Sequence, residues 1–144
     1  MELAFLPATE QARLVRERQV SPVELVELYL ERIERLDPEL GSYVTVRGEE
    51  ALADARVKAD QPAEAPFHGV PLSLKDLDTT AGIRTTFSSQ AFASNVPGFD
   101  LAHVARLRAA GFVILGKTNT PEFGTTAFLL YFLVPFLQDT FDWI

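Results

Sequence analysis

Apolar residues recur at helical spacing from Val26 through Tyr29 or Leu30 and Ile33 to Leu36, leaving Glu27, Glu31, Glu34 and Arg35 for the wet side. That pattern predicts an amphipathic helix whose stripe is a packing face. Ser21-Pro22-Val23-Glu24 reads as its start: Ser21 caps, Pro22 suits the first helical position, and Glu24 completes a capping box. Asp37-Pro38 is its expected end, because the residue before a proline is pushed out of the helical region. Ser42 to Val46 follows as a short strand, and Glu49 to about Asp60 as a second, alanine-rich helix.

Gln61-Pro62-Ala63-Glu64-Ala65-Pro66 is a linker by composition, and the character of the chain changes after it. Val70-Pro71-Leu72-Ser73-Leu74 is short and apolar, reads as a strand, and runs straight into Lys75-Asp76. Thr79 to Asn95 is rich in Thr, Ser and Gly and reads as loop with short helical pieces. Asp100 is the expected cap of a helix through Leu101, Val104, Ala105 and Leu107 to Ala110, closed by Gly111. Phe112-Val113-Ile114-Leu115 is then a buried strand and Gly116 to Pro121 a loop. Helices and strands alternating in this order predict an α/β layer architecture.

The segment 127–144 differs from the rest: 2 of its 18 residues are charged, against 31 of the first 126. It also holds four of the 11 Phe and the one Trp. Nearly every position from Ala127 to Leu137 is apolar, so no periodicity separates strand from helix. It reads either as a buried element or as a sequence not selected for this fold, such as a frameshifted end.

Composition narrows the chemistry. The formal net charge of −7 argues against direct binding to nucleic acid or an anionic membrane surface, which need clustered positive charge. The chain has no cysteine, which removes disulfides, thiolate metal sites and cysteine nucleophiles together. Its two histidines, His68 and His103, lie far apart in sequence, so neither a histidine zinc site nor a Ser-His-Asp triad is expected. The amino end has no basic n-region and no apolar h-region, and no apolar run reaches the length of a membrane span, so a cytoplasmic protein is expected. No cofactor or metal is called for.

Gly111-Phe112-Val113-Ile114-Leu115-Gly116-Lys117-Thr118 satisfies the phosphate-loop pattern letter for letter. The pattern needs an open loop whose N–H groups wrap a phosphate, and four strand-forming apolar residues cannot supply one. Lys75 is the stronger candidate. It ends an apolar strand, where α/β folds put their ligand sites, and a lysine partly desolvated there can act as a neutral general base. With cysteine and paired histidines absent, a serine nucleophile served by a lysine base is the leading covalent option. Asp76 reads as a local hydrogen-bond acceptor, Asn119 and Glu122 as residues satisfying loop backbone, and His103 as an exposed helix residue. Thr85, Thr86 and Ser88 could border a cavity but read here as a polar surface loop, and Ser88-Ser89 as loop residues.

Gly69-Val70-Pro71-Leu72-Ser73-Leu74-Lys75-Asp76 resembles the segment of the amidase signature family that carries its catalytic lysine. The resemblance continues through Gly82-Ile83-Arg84-Thr85-Thr86, Val104-Ala105-Arg106-Leu107-Arg108-Ala109-Ala110-Gly111 and Leu115-Gly116-Lys117-Thr118-Asn119-Thr120-Pro121-Glu122-Phe123-Gly124. Ser21 to Val26 and Arg32-Ile33-Glu34 are similar as well, so the ordered blocks cover about residues 1–126.

What the resemblance implies is the amino-terminal part of the family's α/β fold, helices packed on a mixed sheet, over 1–126, with 127–144 as an atypical tail. It further implies an amidase acting on a small-molecule amide through a Ser–cis-Ser–Lys triad, with Lys75 as the base. The family's two serines lie in a Gly-Gly-Ser-Ser-Gly-Gly stretch, whereas none of the eight glycines here is adjacent to another. The expectation is therefore a fragment that ends before both serines and is catalytically incomplete by itself. Two alternatives stand beside it: the ammonia-releasing subunit of a glutamyl-tRNA(Gln) amidotransferase, and a non-enzymatic truncated remnant. Substrate-binding residues and oligomeric state are not legible.

Overall fold

The computed structural model describes residues 3–125. Four helices, α1 (Ala8–Arg16), α2 (Pro22–Leu40), α3 (Gly48–Ala59) and α4 (Ala102–Ala109), accompany three strands, β1 (Tyr43–Val46), β2 (Pro71–Lys75) and β3 (Val113–Thr118). The strands form one mixed sheet in the order β1-β3-β2, with β1 antiparallel and β2 parallel to the central β3. The parallel pair needs a crossover, and α4 with the loop before it supplies one. The expected α/β architecture is thus present. The reading of 127–144 as a separate atypical segment lies outside the described residues.

α2 begins as its sequence dictates. Ser21 Oγ accepts from the Glu24 N–H at 3.1 Å, and a Glu24 carboxylate oxygen accepts from the Ser21 N–H at 2.7 Å. The helix does not stop at Asp37-Pro38 but runs on to Leu40. Pro38 removes only one donor, and its fixed φ is compatible with helix, so two further residues follow. Gly41 then ends the helix in the left-handed conformation (φ 57°), its N–H donating to Asp37 O at 2.7 Å. The Asp37 side chain takes the next two N–H groups, of Ser42 and Tyr43, and feeds the chain into β1.

The predicted stripe packs as expected as far as Ile33: Val26 is buried, with Tyr29, Leu30 and Ile33 around it, while Leu36 is exposed. Val26, Ala51 and Ala55 of α2 and α3 meet Val113 and Leu115 on one face of β3. Ile114, pointing the other way, packs with Leu74, Ile83 and Val104 on the α4 face. β3 is therefore buried on both sides, as a central strand beneath two layers must be.

Two expectations about α4 and β3 need correction. Asp100 does not cap α4: Leu101 holds that position without a side-chain bond. Asp100 instead accepts from the Ala81 N–H at 2.7 Å and pairs with Arg108 at 2.9 Å, tying the long loop to the helix. Gly116-Lys117-Thr118 is not loop but the second half of β3. Pairing with both neighbours carries the strand past the apolar run, since Gly116 stands opposite Val46 and Ser73, and Thr118 opposite Tyr43 and Lys75.

The register contains one irregularity of consequence. Leu72 pairs with Ile114 but Ser73 pairs with Gly116, so β3 carries one residue more than β2 at Leu115. Side chains alternate with period two, and an inserted residue reverses which face the following ones meet. Lys117, opposite Leu74, is thereby placed on the α4 face.

Candidate active site

Lys75 stands at the C-terminal end of β2, the strand end at which the sequence places it. The ladder closes immediately beyond it, with the Asp76 N–H donating to Thr118 O at 2.9 Å. A turn follows: the Asp78 N–H donates to Lys75 O at 3.0 Å, and Asp78 Oδ2 accepts from the Lys75 N–H at 3.2 Å. The Lys75 side chain is exposed, so the described residues do not provide the partial desolvation expected of it.

Asp76 points inward and is fully buried. Its carboxylate accepts from the Thr86 N–H at 3.0 and 3.1 Å to its two oxygens, from the Thr86 hydroxyl, and from the Ser88 N–H at 3.4 Å. Its carbonyl accepts from the Phe87 N–H at 3.1 Å. Asp76 is thus the local acceptor its sequence context predicts. It holds Phe87 (φ 55°) and Ser88 (φ 53°) in the left-handed region, which non-glycine residues occupy only when surrounding bonds over-determine them.

Thr86, Ser88 and Ser89 line a cleft of about 380 Å³ together with Arg84, Asn119 and Glu122. Thr85 and Thr86 are buried rather than part of a polar surface loop. Thr85 donates its hydroxyl to Ile83 O at 3.0 Å, and its carbonyl accepts from Asn95 Nδ2 at 2.8 Å. Ser88 and Ser89 are loop residues, and Ser88 Oγ is buried with no hydrogen-bond partner among the described residues. Asn119 satisfies loop backbone as expected, donating to Gly41 O at 3.2 Å and accepting from the Thr120 N–H at 2.9 Å. Lys75 is not part of this lining. A larger cavity of about 550 Å³ lies between α1, the start of α2 and the 58–68 segment, and it too excludes Lys75.

The histidines stay apart. His68 is buried with Nε2 2.8 Å from Lys58 O, while His103 is exposed and meets Asp78 Oδ1 at 3.0 Å. Among the described residues no group of three His, Cys, Asp or Glu is arranged to hold a metal ion, and no helix is long and apolar enough to cross a membrane. Val113 to Thr118 of the phosphate-loop pattern are strand, and its lysine is turned inward.

That lysine, Lys117, is the residue the sequence reading missed. It is fully buried, and its Nζ donates to Asp78 O and, at 3.0 Å, to Thr80 Oγ1. Burial lowers its pKa from the ordinary 10.5, opposed by the nearby carboxylates of Asp76, Asp78 and Asp100. The signal was its position: a lysine directly after four buried strand residues, Val113 to Gly116, cannot easily reach water.

Comparison with known proteins gives a consistent result. The family model described as Amidase matches residues 24–129. AmiD of Mycobacterium tuberculosis is 47% identical over 124 residues, covering 83% of this chain and 26% of that protein. The glutamyl-tRNA(Gln) amidotransferase A subunit of Dehalococcoides mccartyi is 40% identical over 126 residues, covering 85% of this chain and 26% of that protein. The native peptide amidase of Stenotrophomonas maltophilia superposes with a TM-score of 0.77 at 31% identity, covering 83% of this chain and 26% of that one. The chain spans about a quarter of the length of the curated relatives it matches.

Proposed function

The chain belongs to the amidase family, and from that premise we propose that it is the amino-terminal part of an amide hydrolase to which Lys75 contributes the general base. The observation that carries this reading is the position of Lys75: it is the last residue of β2, followed at once by Asp76, which anchors the loop bordering the 380 Å³ cleft.

In the proposed reaction Lys75 Nζ takes a proton, through a bridging serine, from a nucleophilic serine. The serine oxygen attacks the amide carbon, and the oxyanion is held by backbone N–H groups beside the nucleophile. The C–N bond breaks as the nitrogen regains a proton and leaves as ammonia or an amine. Water then hydrolyses the acyl ester to a carboxylate and restores the serine. The 144 residues contain no two adjacent glycines, so the Gly-Gly-Ser-Ser-Gly-Gly stretch expected to bear both serines is missing from them. The chain by itself is therefore proposed not to turn over. Absence of cysteine suits a cytoplasmic enzyme.

Ammonia release from a panel of small amides tests this in two formats: the 144-residue chain alone, and a chimera in which residues 1–125 replace the matched portion of the peptide amidase. The chain alone stays at background, and the chimera turns over but loses activity on Lys75→Ala. Sustained turnover by the chain alone removes the claim of incompleteness. A folded chimera indifferent to Lys75→Ala removes the assignment of the base.

A second reading, the subunit of an amidotransferase that frees ammonia from glutamine, is favoured by relatives such as the 40% identical Dehalococcoides protein. Glutamine as the preferred amide, together with a co-purifying partner protein, separates it from the first.

A further inference from the structure

Full burial of a lysine is rare unless its ammonium is paired and bonded, and Lys117 is buried to 0% exposure. The extra residue in β3 at Leu115 turns it onto the α4 face. Both acceptors of its Nζ, Asp78 O and Thr80 Oγ1, belong to the turn that Lys75 opens. The Thr80 hydroxyl donates its own proton to Asp78 O at 2.7 Å, so the two donors converge on one carbonyl.

Asp78 faces Lys75 with its remaining groups. Its N–H donates to Lys75 O, and its carboxylate takes the Lys75 N–H on Oδ2 and meets His103 on Oδ1. The other charged groups around Lys117 are Asp76, committed to Thr86 and Ser88, and Asp100, committed to Ala81 and Arg108. One residue, Asp78, therefore separates a buried cation fixed in the central strand from the backbone of the exposed lysine.

We propose that Lys117 is the positioning residue for Lys75: by pinning the Asp78 turn to β3 it fixes the point at which the Lys75 side chain leaves the sheet. The inference rests on the reading of Lys75 as the base. Lys117 itself touches no reacting atom. Its ammonium does for the turn what a buried apolar residue could not, since a methionine would fill the space and leave Asp78 O without one of its two donors.

The sequence has three lysines, Lys58, Lys75 and Lys117, which makes amine labelling a clean probe. The full 144-residue chain is treated with a limiting water-soluble N-hydroxysuccinimide acetate, and acetylation at Lys75 is measured by peptide mass spectrometry relative to Lys58 in the same molecule. Lys117→Met changes the Lys75:Lys58 ratio by about threefold or more, as expected when a turn is freed to open locally. Thr80→Val changes it in the same direction, and Lys117→Arg, which keeps the charge and donors, returns it toward wild type. An unchanged ratio in folded Lys117→Met overturns the proposal. So does a changed ratio that Lys117→Arg fails to return toward wild type, because the donors at position 117 are then not what holds the turn. If Lys117→Met does not fold, Thr80→Val decides, and an unmoved ratio there overturns the proposal. Labelling requires no turnover. A shifted ratio in a chain whose chimera ignores Lys75→Ala counts against Lys75 as base, whereas an unmoved ratio beside an active, Lys75-dependent chimera counts against Lys117 alone.

Discussion

The Asp76 carboxylate receives both the backbone N–H and the hydroxyl of Thr86, across ten positions of sequence and with no exposure to water. The residue directly after the candidate base is thereby locked to the loop bordering the cleft. Asp76→Ala leaves buried donors of Thr86 and Ser88 without an acceptor and is expected to cost about 3 kcal/mol in urea unfolding. Thr86→Val removes only the hydroxyl and is expected to cost about 1 kcal/mol. Equal effects of the two would show that the carboxylate does not organise this loop.

The capping box gives a pH-dependent increment. Ser21→Ala is expected to lower stability by about 1 kcal/mol. The bonds from Ser21, backbone first and hydroxyl second, hold the Glu24 carboxyl below its ordinary 4.5. Its folded pKa thus lies below the unfolded one, so its contribution is complete above 4.5 and is lost as pH falls through the folded value. Unfolding free energies measured from neutral to acid pH should show a shallower acid loss in Glu24→Gln than in wild type.

Gly116 faces β1 at very close range. A Cβ there would sit 2.1 Å from Thr45 O and 3.2 Å from Val46 Cα, both backbone atoms that cannot swing aside. Gly116→Ala should cost about 3 kcal/mol by forcing β1 off β3. Gly98→Ala, where a Cβ meets nothing within 4 Å, should stay within about 0.5 kcal/mol of wild type. Thermal unfolding of the two variants side by side makes the comparison.

Lys117 sets an alkaline signature. Burial holds its folded pKa below the unfolded 10.5, so between those two values the folded state binds fewer protons than the unfolded state. Its contribution to stability therefore rises with pH across that window. The stability difference between wild type and Lys117→Met should shift in favour of wild type from neutral pH toward 10.5. Tyr43, whose pKa is raised by burial and lowered to a lesser degree by Ser73, acts in the opposite sense above 10.0 but equally in both proteins. A difference flat with pH would show that Lys117 is not desolvated.

Much of the fold is legible locally. The capping box, the stripe from Val26 to Ile33, and the apolar runs of β2 and β3 are set by neighbours three or four residues apart or by simple alternation. One error was local and the other two fall where a distant partner decided. Pro38 was tolerated because Gly41 and Asp37 closed the helix just beyond it. Asp100 was drawn from capping to Ala81 and Arg108. β3 continued to Thr118 because strands on both sides paired with it.

The sequence by itself determined the family, the order of elements and the placement of Lys75 at a strand end, because ordered motifs and hydrophobic period are properties of the linear chain. Only the tertiary structure decided which lysine is buried. The face met by Lys117 follows from a one-residue difference in register between β2 and β3. Register is set by the pairing of strands about forty positions apart and by the layers covering them, quantities that no local window of sequence contains.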